Sequence, residues 1–172
     1  MESAPTGRSQ HALYVVPEDP ATAATVLESA IAHADAPGAV VILTGDVESA
    51  VALANVVVGI HPDLAVVAAT TVARARRVAR EATVVVGTPT TILGLVRASA
   101  LKLDAVQTLV IAWADLADPD LEAVLADVPK EAARVIVASA GGPAVEAFVE
   151  RYARRPQGPR LRRRQCVRAR EP

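Results

Sequence analysis

One cysteine, Cys166, is the whole thiol content of the sequence. A single thiol excludes an internal disulfide framework and a cysteine-based zinc cluster. Aromatic residues are nearly as scarce: Tyr14, Trp113, Phe148 and Tyr152 make up 2% of a chain that is 52% hydrophobic. Such a core is built from Val, Ala and Leu, which suits helices packed on a parallel sheet better than an aromatic-rich β-sandwich. No apolar run reaches the ~18 residues of a membrane-spanning helix, so no membrane partner is expected. The opening MESAPTGRSQ lacks the basic-then-apolar order of a secretory signal, and the expected compartment is the cytoplasm. His11, His33 and His61 have no metal-ligand spacing. A GxSxG nucleophile motif is absent and no histidine neighbours Ser139 in sequence. A length of 172 residues suits one domain.

Charge is what the chain does have, and it is divided. Residues 1–150 carry nine Lys/Arg and eighteen Asp/Glu, a net −9, whereas residues 151–172 carry nine Arg and one Glu, a net +8. Dense arginine suits phosphate backbones through bidentate contacts and counterion release. Pro156-Gln157-Gly158-Pro159 reads as a linker, and residues 156–172 as a disordered tail. Arg160, Arg162, Arg163, Arg164, Arg168 and Arg170 are its candidate nucleic-acid contacts. No aromatic follows Tyr152, so base stacking and sequence-specific reading of single strands are not supported. The plainer alternative is a solubilising terminus, or a clasp onto the acidic body. Arg74, Arg76, Arg77 and Arg80 do not share one helix face and read as solvated surface.

Hydrophobic periodicity places strands at 13–16, 39–43, 64–69, 83–86, 109–111 and 134–138. Helices are expected at 21–34, 47–58, 72–81, from 90 or 91, at 121–126 and at 144–153. Strands alternating with helices at this spacing predict βαβ units and a mostly parallel sheet. Residues 1–11 read as a flexible lead-in, and residues 12–155 as the domain. Ligands of such sheets sit beyond the carboxyl ends of the strands. The chemistry is therefore sought in the turns after each strand.

One stretch organises these turns: TVVVGTPTTILGLVRASALKLDAVQTLVIAWADLAD, residues 83–118. Its turn is Thr88-Pro89-Thr90-Thr91, with Thr90 or Thr91 able to cap the following helix, and its second strand ends in Ala112-Trp113-Ala114-Asp115. In order and spacing this resembles the first RecA-like domain of DEAD-box RNA helicases, over roughly residues 12–155. That family has Thr-Pro-Gly-Arg at the turn and Asp-Glu-Ala-Asp after the strand. The resemblance implies a three-layer α/β RecA-like domain with a mostly parallel central sheet of about six strands.

The frame is kept and the family's chemistry is not. The phosphate loop of the family corresponds to Val16-Pro17-Glu18-Asp19-Pro20-Ala21-Thr22-Ala23, which has no Gly and no Lys. Two prolines there remove N–H donors, and Glu18 and Asp19 put negative charge where a triphosphate would lie. Ala112 replaces the Asp that holds Mg²⁺ through water, and Trp113 replaces the Glu that positions the attacking water. Asp115 matches the family's last Asp, and Ser139-Ala140-Gly141 stands for its Ser-Ala-Thr, so an Asp115–Ser139 hydrogen bond is expected. Asp46 reverses the charge of the RNA-facing Arg in the turn after the second strand, while Thr88 keeps its place for a phosphate contact. Asp115, Asp118, Asp120 and Glu122 offer either a divalent site or a solvated loop with Asp120 at a helix N-terminus.

These residues imply a vestigial cleft of Pro17, Glu18, Asp19, Ala112, Trp113, Asp115 and Ser139, with no catalytic residue, cofactor or metal. Trp113 either packs over the cleft as filler or anchors a protein partner, since Trp is enriched at binding hot spots. The expected function is that of a catalytically inactive helicase-like module that binds or scaffolds RNA or a ribonucleoprotein. The rivals are a protein-interaction domain with no nucleic-acid role, and an ATP-dependent RNA helicase subunit with a divergent nucleotide site.

Overall fold

The computed structural model describes residues 11–32 and 34–152. Short runs of β-branched residues make six strands: β1 Ala12–Val15, β2 Val40–Thr44, β3 Val66–Ala69, β4 Val84–Gly87, β5 Thr108–Ala112 and β6 Ala133–Ala138. They form one sheet in the order β1-β6-β5-β2-β4-β3. Every pairing is parallel, with Leu43 level with both Gly87 and Ile111. The helices are α1 Pro20–Ile31, α2 Val47–Ile60, α3 Val72–Ala75, α4 Pro89–Arg97, α5 Pro119–Asp127 and α6 Pro143–Tyr152.

Strand alternation divides the apolar residues between two cores. Val41, Leu43, Val85, Leu109, Ile111 and Ile136 face one way, with Ile92 and Leu95 of α4, Leu121 and Val124 of α5, and Phe148 of α6. Val40, Ile42, Val84, Val86, Val110 and Val137 face the other, with Leu27 and Ile31 of α1 and Leu53 and Val57 of α2. A sheet covered on both faces needs continuous apolar strands rather than alternating ones, and β2 and β4 are buried at every residue. The result is the expected three-layer α/β domain with a parallel sheet.

The helix starts correct the sequence reading. Four helices begin at a proline one or two residues before the expected position, and Pro20, Pro89 and Pro119 each follow a capping side chain. Proline lacks an N–H that the first helical position would leave unpaired, and its fixed φ suits the helix. Thr88, not Thr90 or Thr91, caps α4. The expected helix over 72–81 is only one α-turn, Val72–Ala75. Beyond it the backbone mixes i−3 and i−4 bonds, as in Val78 N–H to Ala75 O, Ala79 N–H to Ala75 O and Glu81 N–H to Val78 O. Ala75, Ala79 and Ala82 are buried along this segment, while Arg74, Arg76, Arg77 and Arg80 are exposed as expected.

Candidate functional site

The carboxyl edge of the sheet gathers the turns singled out from sequence. Val16 follows β1, Leu43 is the penultimate residue of β2, Val86 that of β4 and Ile111 that of β5. Helices α1 and α2 cover one face of the sheet, α4 and α5 the other. The crevice at such an edge is where open α/β sheets bind ligands.

The turn after β1 is closed by its own side chain. Asp19 takes an extended conformation as the N-cap of α1 and accepts from Thr22 N–H at 3.0 Å and from Thr22 Oγ1 at 2.8 Å. These bonds hold the carboxyl below its ordinary range, the Thr22 hydroxyl contributing most. Pro20 at the first helical position offers no N–H. Asp19 N–H donates to Pro17 O at 2.8 Å, so the turn is tied internally. The positive end of the α1 dipole thus meets a resident carboxylate.

Trp113 reaches this turn from the end of β5. Its backbone sits at φ +51°, in the left-handed region that a bulky residue seldom adopts. From there the indole Nε1 donates to Val16 O at 3.2 Å, and the backbone N–H donates to Val137 O. The half-buried ring packs on the α1–α2 core beside Val16. Gly45 lets the β2–α2 turn pass close beneath it: a Cβ there would lie 3.1 Å from Trp113 O. Ala112, the residue before, is buried in the same core.

Together these turns bound a groove of about 280 Å³ lined by Glu18, Pro20, Asp46, Glu48, Ser49, Ala52, Leu53 and Trp113. Sequence reading placed Glu18 and Trp113 together but left Glu48, Ala52 and Leu53 out; they arrive because α2 starts directly after β2, which pairs with β5. Asp46 caps α2 by accepting from Ser49 N–H at 2.7 Å, which lowers its pKa. Thr44, fully buried, donates its hydroxyl to Asp46 O at 2.8 Å and steadies the turn.

The other sequence-derived residues are spread out. Asp115 is exposed and its Oδ1 accepts from Ala117 N–H at 2.9 Å. Ser139 is exposed in the turn after β6, and the expected Asp115–Ser139 hydrogen bond is not among those of the described residues. The physical reason is local: a carboxylate two residues before an N–H closes an Asx turn without a distant partner. Thr88, half-buried, accepts from Thr91 N–H at 3.3 Å and pairs with the Thr91 hydroxyl at 3.0 Å, so it serves as a cap. Thr90 donates to Asp120 at 2.6 Å, joining α4 to α5. Asp118 caps α5 through Asp120 N–H, and the described residues contain no group of three or more His, Cys, Asp or Glu placed to hold a metal. Asp120 lies in the first turn of α5. Arg160, Arg162, Arg163, Arg164, Arg168 and Arg170 lie outside the described residues, as does His33. No described helix is long and apolar enough to cross a membrane.

No protein-family model matches the chain. No curated protein matches it in sequence. Solved structures do match its fold. A DEAD-box protein from the hyperthermophile Methanococcus jannaschii aligns with a TM-score of 0.70 at 18% identity, over 84% of this chain and 43% of its own. A hypothetical ATP-dependent RNA helicase from Sulfolobus tokodaii aligns with a TM-score of 0.67 at 17% identity, over 84% and 46%. S. cerevisiae Dbp5 bound to RNA and ADP BeF3 aligns with a TM-score of 0.64 at 19% identity, over 86% and 40%. The chain spans less than half the length of each of these structures. The all-parallel six-stranded sheet, its helices on both faces and these alignments together give the chain the fold of a RecA-like domain of DEAD-box RNA helicases.

Proposed function

We propose that this chain is a RecA-like helicase-type module that binds RNA or a ribonucleoprotein without hydrolysing a nucleotide, acting in the cytoplasm. The observation that carries this reading is the self-capped start of α1. Where a triphosphate would use free backbone N–H groups and a lysine, the turn presents the Asp19 carboxylate on Thr22 N–H, two prolines and the acidic Glu18. Trp113 and Ala112 stand where metal and water carboxylates would be needed. The residues present do not fit a nucleotide with its metal.

RNA contact falls to the arginine-rich residues beyond 155, because the carboxyl edge itself is lined by carboxylates. The domain is residues 12–155 and the basic segment residues 156–172. Trp113 serves chiefly as packing, since its N–H is already satisfied by Val16 O.

Calorimetry with Mg·ATP tests the central point. Binding tighter than about 1 mM, about −4 kcal/mol, is not expected. A micromolar dissociation constant would overturn the reading in favour of a helicase subunit with a divergent nucleotide site. Failure to bind RNA at low salt would favour a protein-interaction domain instead.

A further inference from the structure

We infer that the arginine-rich segment beyond residue 155 docks into the groove of Glu18, Asp46, Glu48 and Trp113, clasping the chain onto its own carboxyl edge. The groove is small. At about 280 Å³ it falls just short of the ~300–1,000 Å³ usual for small-molecule pockets. It suits one or two long side chains.

Its chemistry points to a guanidinium. Three carboxylates surround the opening, with Leu53 and the Trp113 ring supplying apolar and π surface. Arg151 pairs with Glu122, at 2.6 Å, and no described Lys or Arg pairs with Glu18, Asp46 or Glu48. A planar guanidinium can stack on an indole and fork to a carboxylate at once, which an ammonium cannot. The segment supplies only that cation: six arginines and no lysine between 156 and 172.

Charge and reach both allow the clasp. The body carries a net −9 and residues 151–172 a net +8. Fully extended, the twenty residues from 153 to 172 span up to about 66 Å. A domain of this size has a radius of gyration of about 15 Å. Arg134 at the start of β6 donates to Tyr152 O, so the chain leaves α6 at the amino edge of the sheet, and Arg160 to Arg170, about 26 to 59 Å along an extended chain, can reach round to the carboxyl edge. The clasp and RNA would draw on the same arginines, yet the clasp does not require that RNA bind at all.

Trp113 is the only tryptophan, so its fluorescence reports on the groove. The full chain is compared with two full-length variants: one with Arg160, Arg162, Arg163, Arg164, Arg168 and Arg170 changed to Gln, and one carrying Glu18→Gln and Glu48→Gln. Neither glutamate caps a helix, and circular dichroism checks that both variants fold. Acrylamide quenching at low salt should be about twofold weaker for the unaltered chain than for either variant, and salt near 1 M should erase the difference. Protection should not depend on protein concentration. Equal quenching of the unaltered chain and the arginine variant at low salt would overturn the clasp. So would protection that survives the glutamate changes, which places the arginines elsewhere, or protection that grows with concentration, which places them on another copy.

Discussion

At the scale of single residues, capping carboxylates contribute to how this chain responds to acid. Asp19 and Asp46 each accept a backbone N–H at a helix start, and both have their pKa lowered from 3.8. For Asp19 the largest cause is the Thr22 hydroxyl, and for Asp46 it is the Ser49 N–H. A carboxyl with a depressed folded-state pKa adds stability that is full above its unfolded value and is lost as pH falls through the folded one. The contribution should therefore be intact at neutral pH and fade only below about pH 4. Asn caps a helix as well as Asp but does not titrate. A chain with Asp19→Asn and Asp46→Asn should show a flatter fall of melting temperature between about pH 5 and pH 2 than the unaltered chain. Equal acid limbs would mean that other carboxylates govern acid unfolding. Trp113 adds a second residue-scale cost. Its left-handed backbone is tolerated because the indole gains a hydrogen bond to Val16 O and a place on the core. Trp113→Phe should lower stability by about 1 kcal/mol in urea unfolding, the usual worth of one such bond.

At the scale of elements, α3 meets α4 at Gly94, where the Val72 side chain lies against bare backbone. A Cβ on Gly94, inside α4, would lie 2.4 Å from Val72 Cγ2. In an exposed helix, Gly→Ala stabilises by about 1 kcal/mol. Here the sign should reverse. Val72 is β-branched and stiff at χ1, so overpacking should cost about 1–3 kcal/mol in chemical denaturation. Val72→Ala in the same chain should recover most of that loss. The proline-led helices belong to this scale too. Asp19-Pro20, Thr88-Pro89 and Asp118-Pro119 are each an N-cap followed by the first helical residue, although the sequence reading started these helices later. A proline reads as a breaker only when its place in the element is ignored, and at the first turn it starts a helix.

At the scale of the whole molecule, the opposed charge of the two regions governs the proposed contact with RNA. The body at −9 repels a polyanion and residues 151–172 at +8 attract it. With about five arginines neutralising phosphates on single-stranded RNA, log K should fall against log salt with a slope of about −3.5. A chain ending at Arg155 should lose most of that slope. Equal RNA binding by the shortened chain would move the site to the body, where the Thr88 turn is the next to change. Arg→Lys throughout the segment should keep most of the salt dependence while weakening bidentate contacts.

The two-sided sheet was determined by the sequence alone. Runs such as Val40-Val41-Ile42-Leu43 and Val84-Val85-Val86 bury both faces of a strand, and only a sheet with helices on each side accepts that. That the turn after β1 holds neither glycine nor lysine was equally plain, because it is a matter of residue type. The groove was decided by the tertiary structure. Glu18, Glu48, Leu53 and Trp113 come from three separate stretches and meet only because β5 lies two strands from β1 and next to β2. The Asp115–Ser139 bond failed for a related reason: a local turn satisfied the carboxylate before its distant partner could. Local patterning specifies which faces are buried, but the meeting of turns depends on strand order, and strand order is a property of the assembled sheet.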